Sequence, residues 1–187
     1  MGNDLTVTDA LSGQLLVAGP SLGDPNFDRT IVYLLDHGDD GALGVVLNRS
    51  TDLDVLDTVP QWSTVAHQPP VIFSGGPVEA GVLVGLARVR DPLSCPGWSA
   101  IDHDIGTVDL AMDPDAIVAG IEVARLFAGY AGWGAGQLDE EINGGAWFVV
   151  DAEPDDVFTD EPEHLWGLVL RRNQARVVAA EGNPSWN

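Results

Sequence analysis

The sequence predicts a single domain built from both strands and helices, and three observations carry that expectation. The chain has 187 residues, 45% hydrophobic and 20% charged, which suits one globular core. Apolar runs of strand length recur from Gln14 to Val150, punctuated by glycine and proline. Between and after them lie segments with helical spacing and helix-terminal residues. No internal repeat occurs and no linker divides the chain, so residues 1–187 read as one domain with frayed ends at 1–12 and 182–187.

In chain order, Gln14 to Ala18 is a first strand, followed by a glycine- and proline-containing loop over 19–25. Thr30 to Leu35 and Leu43 to Leu47 are continuous apolar runs, hence strands covered on both faces. Asp40-Gly41 between them favours an antiparallel hairpin, with His37 at its mouth and Asn48-Arg49 leaving its far end. Leu53 to Val59 is expected as a short amphipathic helix capped by Thr51 or Asp52, then a loop over 60–70. Val71 to Phe73 is a strand running into Gly75-Gly76-Pro77, a turn that needs unusual backbone angles. Val82 to Val89 and Gly106 to Leu110 are further strands, with a loop at Cys95-Pro96-Gly97. Asp113-Pro114 opens the clearest helical pattern, in which Ile117, Ile121, Ala124 and Phe127 lie near a helical period before Gly129. Last come an acidic loop over 155–160 and a helix over 162–172. That helix turns Leu165, Leu168 and Val169 inward and carries Arg171 and Arg172 at its C-terminal end.

The stretch from Gly129 to Trp147, GYAGWGAGQLDEEINGGAW, is the one the other segments support. Its first glycines are too dense for a helix, so 129–136 is an extended segment that runs into a turn and presents Tyr130 and Trp133. A short helix follows over 137–143, closed by Gly144. At about 100° per residue, Leu138 and Ile142 share its buried stripe. Asp139 and Glu141 fall on the two shoulders, and Glu140 points away. Ala146 to Val150 is an apolar strand of the sheet-interior kind. Trp147 is expected in the core, and Trp133 is expected to be only partly buried.

Twenty-nine acids face eight arginines, with no lysine, for a formal net charge of −21. Such a charge opposes binding to nucleic-acid phosphates and to anionic membranes. No apolar run reaches the length of a membrane span, and the N-terminus lacks the basic start and cleavage site of a signal peptide. With the single Cys95 suiting a reducing compartment, the chain reads as cytoplasmic. The acidity reads first as a solubility or salt-adaptation feature. Its alternative is a surface for another protein with a basic face. That surface would lie between Asp139 and Glu163, where no arginine interrupts the acids.

Familiar catalytic patterns are missing. Without lysine there is no P-loop, and Asp139 stands where a dinucleotide fingerprint begun by Gly134-Ala135-Gly136 needs glycine. GxSxG, HExxH and paired-cysteine motifs are absent, so no catalytic residue, cofactor or metal is expected. Cys95 reads as an inert thiol, and Asp102-His103-Asp104 as a solvated loop before a metal site. His37 is either a histidine hydrogen-bonded at a hairpin end or a catalytic base. Arg29 and Arg49 border buried strands and are expected to pair with Asp139 or Glu141 of the central helix.

Three blocks carry a family resemblance. The first is Gly13-Gln14-Leu15-Leu16-Val17-Ala18, Asp24-Pro25-x-Phe27-x-Arg29-Thr30, His37, Gly41-Ala42-x-Gly44 and Asn48-Arg49. The second is Gly75-Gly76-Pro77-Val78, and the third is Gly129-Tyr130-Ala131-x-Trp133, Gly136-Gln137-Leu138, Glu141 and Trp147. In this order they resemble the YqgE/AlgH family of small bacterial proteins, with Ser50 standing where many relatives have proline and Asp139 where they often have glutamate. The resemblance implies an α+β fold: a bent, partly divided, mostly antiparallel sheet closing toward a barrel, with outer helices. It carries over no catalytic residue or cofactor. Some members are labelled transcriptional regulators, after a regulator of alginate synthesis. The candidate functional surface is Asp24, Arg29, His37, Asn48, Arg49, Tyr130, Trp133, Gln137, Asp139 and Glu141. The first reading is a non-enzymatic regulatory or protein-binding domain. The second is an enzyme with an unfamiliar site around His37, Asn48, Arg49 and Glu141, and the third a direct DNA-binding regulator, which the charge disfavours.

Overall fold

The computed structural model of the protein describes residues 11–19 and 21–174. Apart from Leu11 and Ser12, the ends expected to fray lie outside the described residues. Strands β1 (Gln14–Ala18), β2 (Ile31–Gly38) and β3 (Gly41–Val46) form where the apolar runs predict them. β2 and β3 make the antiparallel hairpin, turning through Asp39 and Asp40, with His37 opposite Ala42. The sheet continues through β4 (Ser50–Asp54), β5 (Val71–Ser74), β6 (Val78–Val89), β7 (Trp98–Asp102), β8 (Ile105–Val108), β9 (Ile121–Gly134) and β10 (Trp147–Asp151). Its order is β10-β1-β2-β3-β9-β6-β8-β7, with β4 on β5 and β5 on β9. Among the described strands only β5 on β9 is parallel. Four short helices lie between the strands or after them: α1 (Val55–Thr58), α2 (Pro114–Ile117), α3 (Gln137–Asn143) and α4 (Leu165–Arg172). The architecture is α+β with a curled, mostly antiparallel sheet, as the resemblance implies.

β9 is the strand that both halves share. One edge pairs with β6 through residues 121–130, and the other takes β5 at Phe127 and Ala128 and then β3 at 131–134. β5 and β6 therefore flank the same strand, yet only Gly75-Gly76-Pro77 connects them. The chain must step across β9 in three residues. A Cβ at Gly75 would run into the Gly129 carbonyl, and one at Gly76 into the backbone of Tyr130. Gly76 also has φ +153°, so glycine is required twice over.

Several local expectations change. The helical spacing at 113–128 does not become a helix: α2 ends at Ile117, and a 3-10 turn over Val118–Gly120 leads into β9. β9 is buried on both faces, with Ile121, Ala124 and Leu126 in one core cluster and Phe127 in another. A two-sided strand buries residues without strict alternation, and here its apolar positions fit a period of 3.6 by accident. Residues 50–54 pair as β4, and the cap of α1 is Asp54, which accepts the Leu56 N–H at 2.7 Å; Leu53 and Leu56 stay exposed. β7 is too short and polar to announce itself. β10 takes the sheet edge instead of its interior. On α4, Leu165 and Val169 are buried, but Leu168, at the edge of their face, remains exposed.

The core has three clusters. Leu15, Ile31, Tyr33, Val45 and Phe127 pack on one side of the sheet beneath Val157, Phe158, Leu165 and Val169. Leu16, Val32, Val46 and Ala131 pack on the other with Trp133, Leu138 and Trp147. Trp62, Ile72, Ile117 and Ile121 anchor the third. One guanidinium is enclosed as well. Arg125 donates to the carbonyls of Val157, Gln68 and Thr159, lies 4.4 Å from the Phe73 ring centroid, and is pulled down by burial to a pKa of about 10.

Tyr33 is buried, and its hydroxyl has no partner among the described residues. Burial first, and then Asp102 and Asp104, hold its proton above the ordinary phenol range. The folded state therefore keeps a proton that the unfolded state loses above about pH 10, so stability falls as pH rises from there. Tyr33→Phe is expected to gain about 1 kcal/mol at neutral pH, since it removes an unpaired buried hydroxyl. It should also lessen the alkaline loss; denaturant melts at neutral pH and near pH 11 measure both effects.

Candidate functional site

β9 ends at Gly134, and a turn through Gly136 (φ +72°) launches α3; Gly144 is its C-cap but has a right-handed φ of −78°, and the left-handed closing glycine is Gly145 (φ +76°), one residue later than expected. Leu138 faces inward, Ile142 packs beside it, and Glu140 is exposed. The shoulder residues both find partners. Glu141 Oε2 accepts the indole N–H of Trp133 and that of Trp147, each at 2.9 Å. Its Oε1 accepts from Gln137 Nε2 at 2.9 Å, and Gln137 Oε1 in turn accepts the Gly134 N–H at 3.0 Å. Asp139 Oδ1 lies 3.3 Å from His37 Nε2. His37 is buried, and its Nδ1 has no partner among the described residues.

The two indoles meet edge to face at 5.9 Å, and Phe27 completes a trio, 5.4 Å from Trp147 and 6.4 Å from Trp133. Trp133 is only 7% exposed, so it is a core residue, not the partly buried one expected. Its strand pairs with β3 at Ala42, where a Cβ on Gly41 would strike the Trp133 carbonyl.

Phe27 is delivered by a 3-10 turn over Pro25–Phe27. Asp24 caps the turn, accepting the Asn26 N–H at 2.9 Å. Arg49 donates to the carbonyls of Pro25, Asn26 and Asp28. Asn48 accepts the Ile31 N–H and donates to the Arg29 carbonyl, both at 2.9 Å. The expected ion pairs from Arg29 or Arg49 to Asp139 or Glu141 do not form. Arg49 is taken by carbonyls, Glu141 by indoles and Asp139 by His37, while Arg29 lies 5.7 Å from the Trp166 ring centroid. Tyr130 donates to Glu79 at 2.9 Å, away from α3, and that hydrogen bond is the main cause raising its pKa.

The candidate residues thus separate. His37, Trp133, Gln137, Asp139 and Glu141 gather around α3; Asp24, Asn48 and Arg49 brace the loop behind Phe27; Arg29 and Tyr130 face elsewhere. Cys95 is buried, which pushes its thiol pKa up, and His103 sits 2.6 Å from Asp102 on an exposed turn. Among the described residues no group of His, Cys, Asp and Glu is placed to hold a metal ion, and no helix is long and apolar enough to cross a membrane.

An acidic cleft of about 590 Å³ lies on the other side of the molecule's α4 helix from Trp166, lined by Glu153, Asp155, Asp156, Asp160 and Glu161 around Phe158, Leu165 and Leu168. Arg172 bonds Asp156 at 2.7 Å and reaches Glu153 at 3.4 Å, and Arg88 reaches Asp155 at 3.6 Å. Asp160 lies 3.0 Å from His67 and in the field of the Arg125 guanidinium. Desolvation, and then Arg125, lower the His67 pKa, so the ring is neutral at neutral pH and the charge of Asp160 stands. The run 155–160 signals the acids, but only the fold shows that they surround apolar side chains.

The AlgH-like family profile, DUF179, matches residues 15–177. The chain belongs to the AlgH-like family. A UPF0301 protein of Streptomyces coelicolor is 46% identical over 193 residues, covering 98% of each chain. The crystal structure of a Corynebacterium diphtheriae protein shares the fold with a TM-score of 0.81 at 32% identity, over 87% of this chain and 86% of that one. The solution structure of the AlgH protein from Pseudomonas aeruginosa has a TM-score of 0.71 at 30% identity, over 96% and 97%. The family blocks named from the sequence fall within the matched residues, except that Gly13 and Gln14 of the first block precede them.

Trp133→Ala and Trp147→Ala should each cost about 3–5 kcal/mol, the penalty for a buried aromatic. Glu141→Ala, which strands two indole donors, should cost about 3 kcal/mol. Denaturant melts of the three variants measure this, and a near-neutral Trp133→Ala would return that residue to a surface role.

Proposed function

We propose that the protein is a cytoplasmic, non-enzymatic binding domain of regulatory type that takes a basic segment of a partner protein in its acidic cleft. The observation that carries the reading is how the matched polar residues are used. A catalytic acid, base or nucleophile must meet a substrate. Here Glu141 is filled by two indoles and an amide, Arg49 by three carbonyls, Asn48 by two backbone groups, and His37 is buried against Asp139. With His37, Arg49 and Glu141 each engaged by other groups of the protein, a binding role is favoured over an enzyme built on them.

The cleft supplies the partner's chemistry. Its rim holds more carboxylates than the facing Arg88 and Arg172 balance, and its floor is apolar, with Leu168 46% exposed. A segment with arginine or lysine beside a hydrophobic anchor complements both. Direct DNA binding has no such support in a chain of net charge −21. In fluorescence anisotropy, a lysine- and leucine-containing peptide should bind more tightly than its acidic counterpart and weaken with salt. A double variant, Asp160→Asn with Glu161→Gln, should lose about tenfold in affinity. Equal affinity for basic and acidic peptides, or a saturable shift with duplex DNA at physiological salt, would sink the reading.

A further inference from the structure

A second cleft, of about 300 Å³, opens between the Arg29 turn and α4. Its lining includes Arg29, Asn48, Glu163, His164, Trp166 and Arg171. Its cations differ from the other described arginines. Arg49, Arg90 and Arg125 donate to carbonyls, and Arg88 and Arg172 meet carboxylates. Among the described residues the guanidiniums of Arg29 and Arg171 make neither kind of bond, although acids outnumber arginines in the chain by 29 to 8. Both line this one cleft. Trp166 contributes its ring to the lining, while its indole N–H is buried beneath and has no acceptor among the described residues.

The backbone holds this arrangement at a cost. Arg29 has φ +52°, a left-handed conformation that a side chain disfavours. Asn48 fixes it by donating to the Arg29 carbonyl while accepting the Ile31 N–H. The turn so formed places the Arg29 guanidinium 5.7 Å from the Trp166 ring centroid. A strained residue held by a dedicated clamp, with its charge unpaired, is the pattern of a preorganised site.

We propose that the Arg29–Trp166–Arg171 cleft binds the phosphoryl group of a small phosphate monoester. Two guanidiniums match a group carrying close to two negative charges, and their forked donors match its terminal oxygens. A carboxylate offers half that charge. The cleft is at the small end of ligand sites, with room beside the phosphoryl group for a compact organic part. Glu163 at the rim opposes a second anionic group and favours a hydroxyl or amine there. The site is separate from the acidic cleft, and neither proposal depends on the other.

The test is a titration of the full chain with inorganic phosphate, phenyl phosphate and benzoate at constant ionic strength, followed by the Trp166 indole N–H resonance in NMR. The expected result is a saturable shift with both phosphates, tighter for phenyl phosphate, and a weaker response to benzoate. Arg171→Gln and Arg29→Gln should each weaken phenyl phosphate about tenfold, whereas Arg90→Gln should not. Because Arg29 and Arg171 are exposed, these variants keep the fold, which the rest of the spectrum reports. No saturable shift below about 20 mM phenyl phosphate, far weaker than a built site gives, overturns the proposal. So does unaltered affinity in both arginine variants, and tighter benzoate overturns the assignment of a phosphoryl group.

Discussion

Where Gly75-Gly76-Pro77 steps across β9, backbone lies on backbone with no space for a side chain. Val46 donates its N–H to the Gly75 carbonyl, and Gly75 donates its own to that of Ala128. The crossing therefore links β3 to β9 at the point where β5 stops pairing and β3 has yet to begin. The division of the sheet follows from it. A residue with a Cβ would push the connection off β9, separate β5 from Phe127, and open the core around Phe73 and Phe127, whose rings lie 5.8 Å apart.

Among the polar residues that give the family its signature, Glu141 and the Asn48-Arg49 pair serve this frame directly. A single carboxylate, Glu141, satisfies the indoles of the last residues of β9 and the first of β10, so α3 is tied to both strands it connects. Asn48-Arg49 does the same for the loop that carries Phe27, using carbonyls in place of rings. In both cases a charged group is worth keeping because it meets several backbone or ring donors and acceptors at once, and removal would leave them all unpaired. What is left over is two arginines on one side of α4 and a set of carboxylates on the other.

The sequence made α3 legible because glycines delimit it and its few apolar residues fall on one stripe. Asp139, Glu140 and Glu141 could accordingly be assigned directions, and they take them. Their partners are not legible in the sequence: Arg29 and Arg49 are the counter-charges it suggests, whereas the indoles and His37 are the groups within reach in the fold. β9 was misread for a related reason. Burial on both faces removes the alternation that marks a strand, and Ile117, Ile121, Ala124 and Phe127 then imitate a helix. The acids of 151–163 were visible as a run, but their relation to Phe158 and Leu168 depends on how the chain folds back over β9.

The place of β9 also bears on how the chain acquires its structure. It is the ninth strand to be synthesised, yet it lies between β3 and β6, both made long before. Until residue 134 has emerged, β3 and β6 each present an open hydrogen-bonding edge, and Leu86, Phe73 and Val45 have no Phe127 to pack on. Sheets closed by such distant pairings form slowly, since the loop must be ordered before the contacts that reward it. On the ribosome the first two thirds of the chain must therefore wait for β9, the strand that joins β3 to β6.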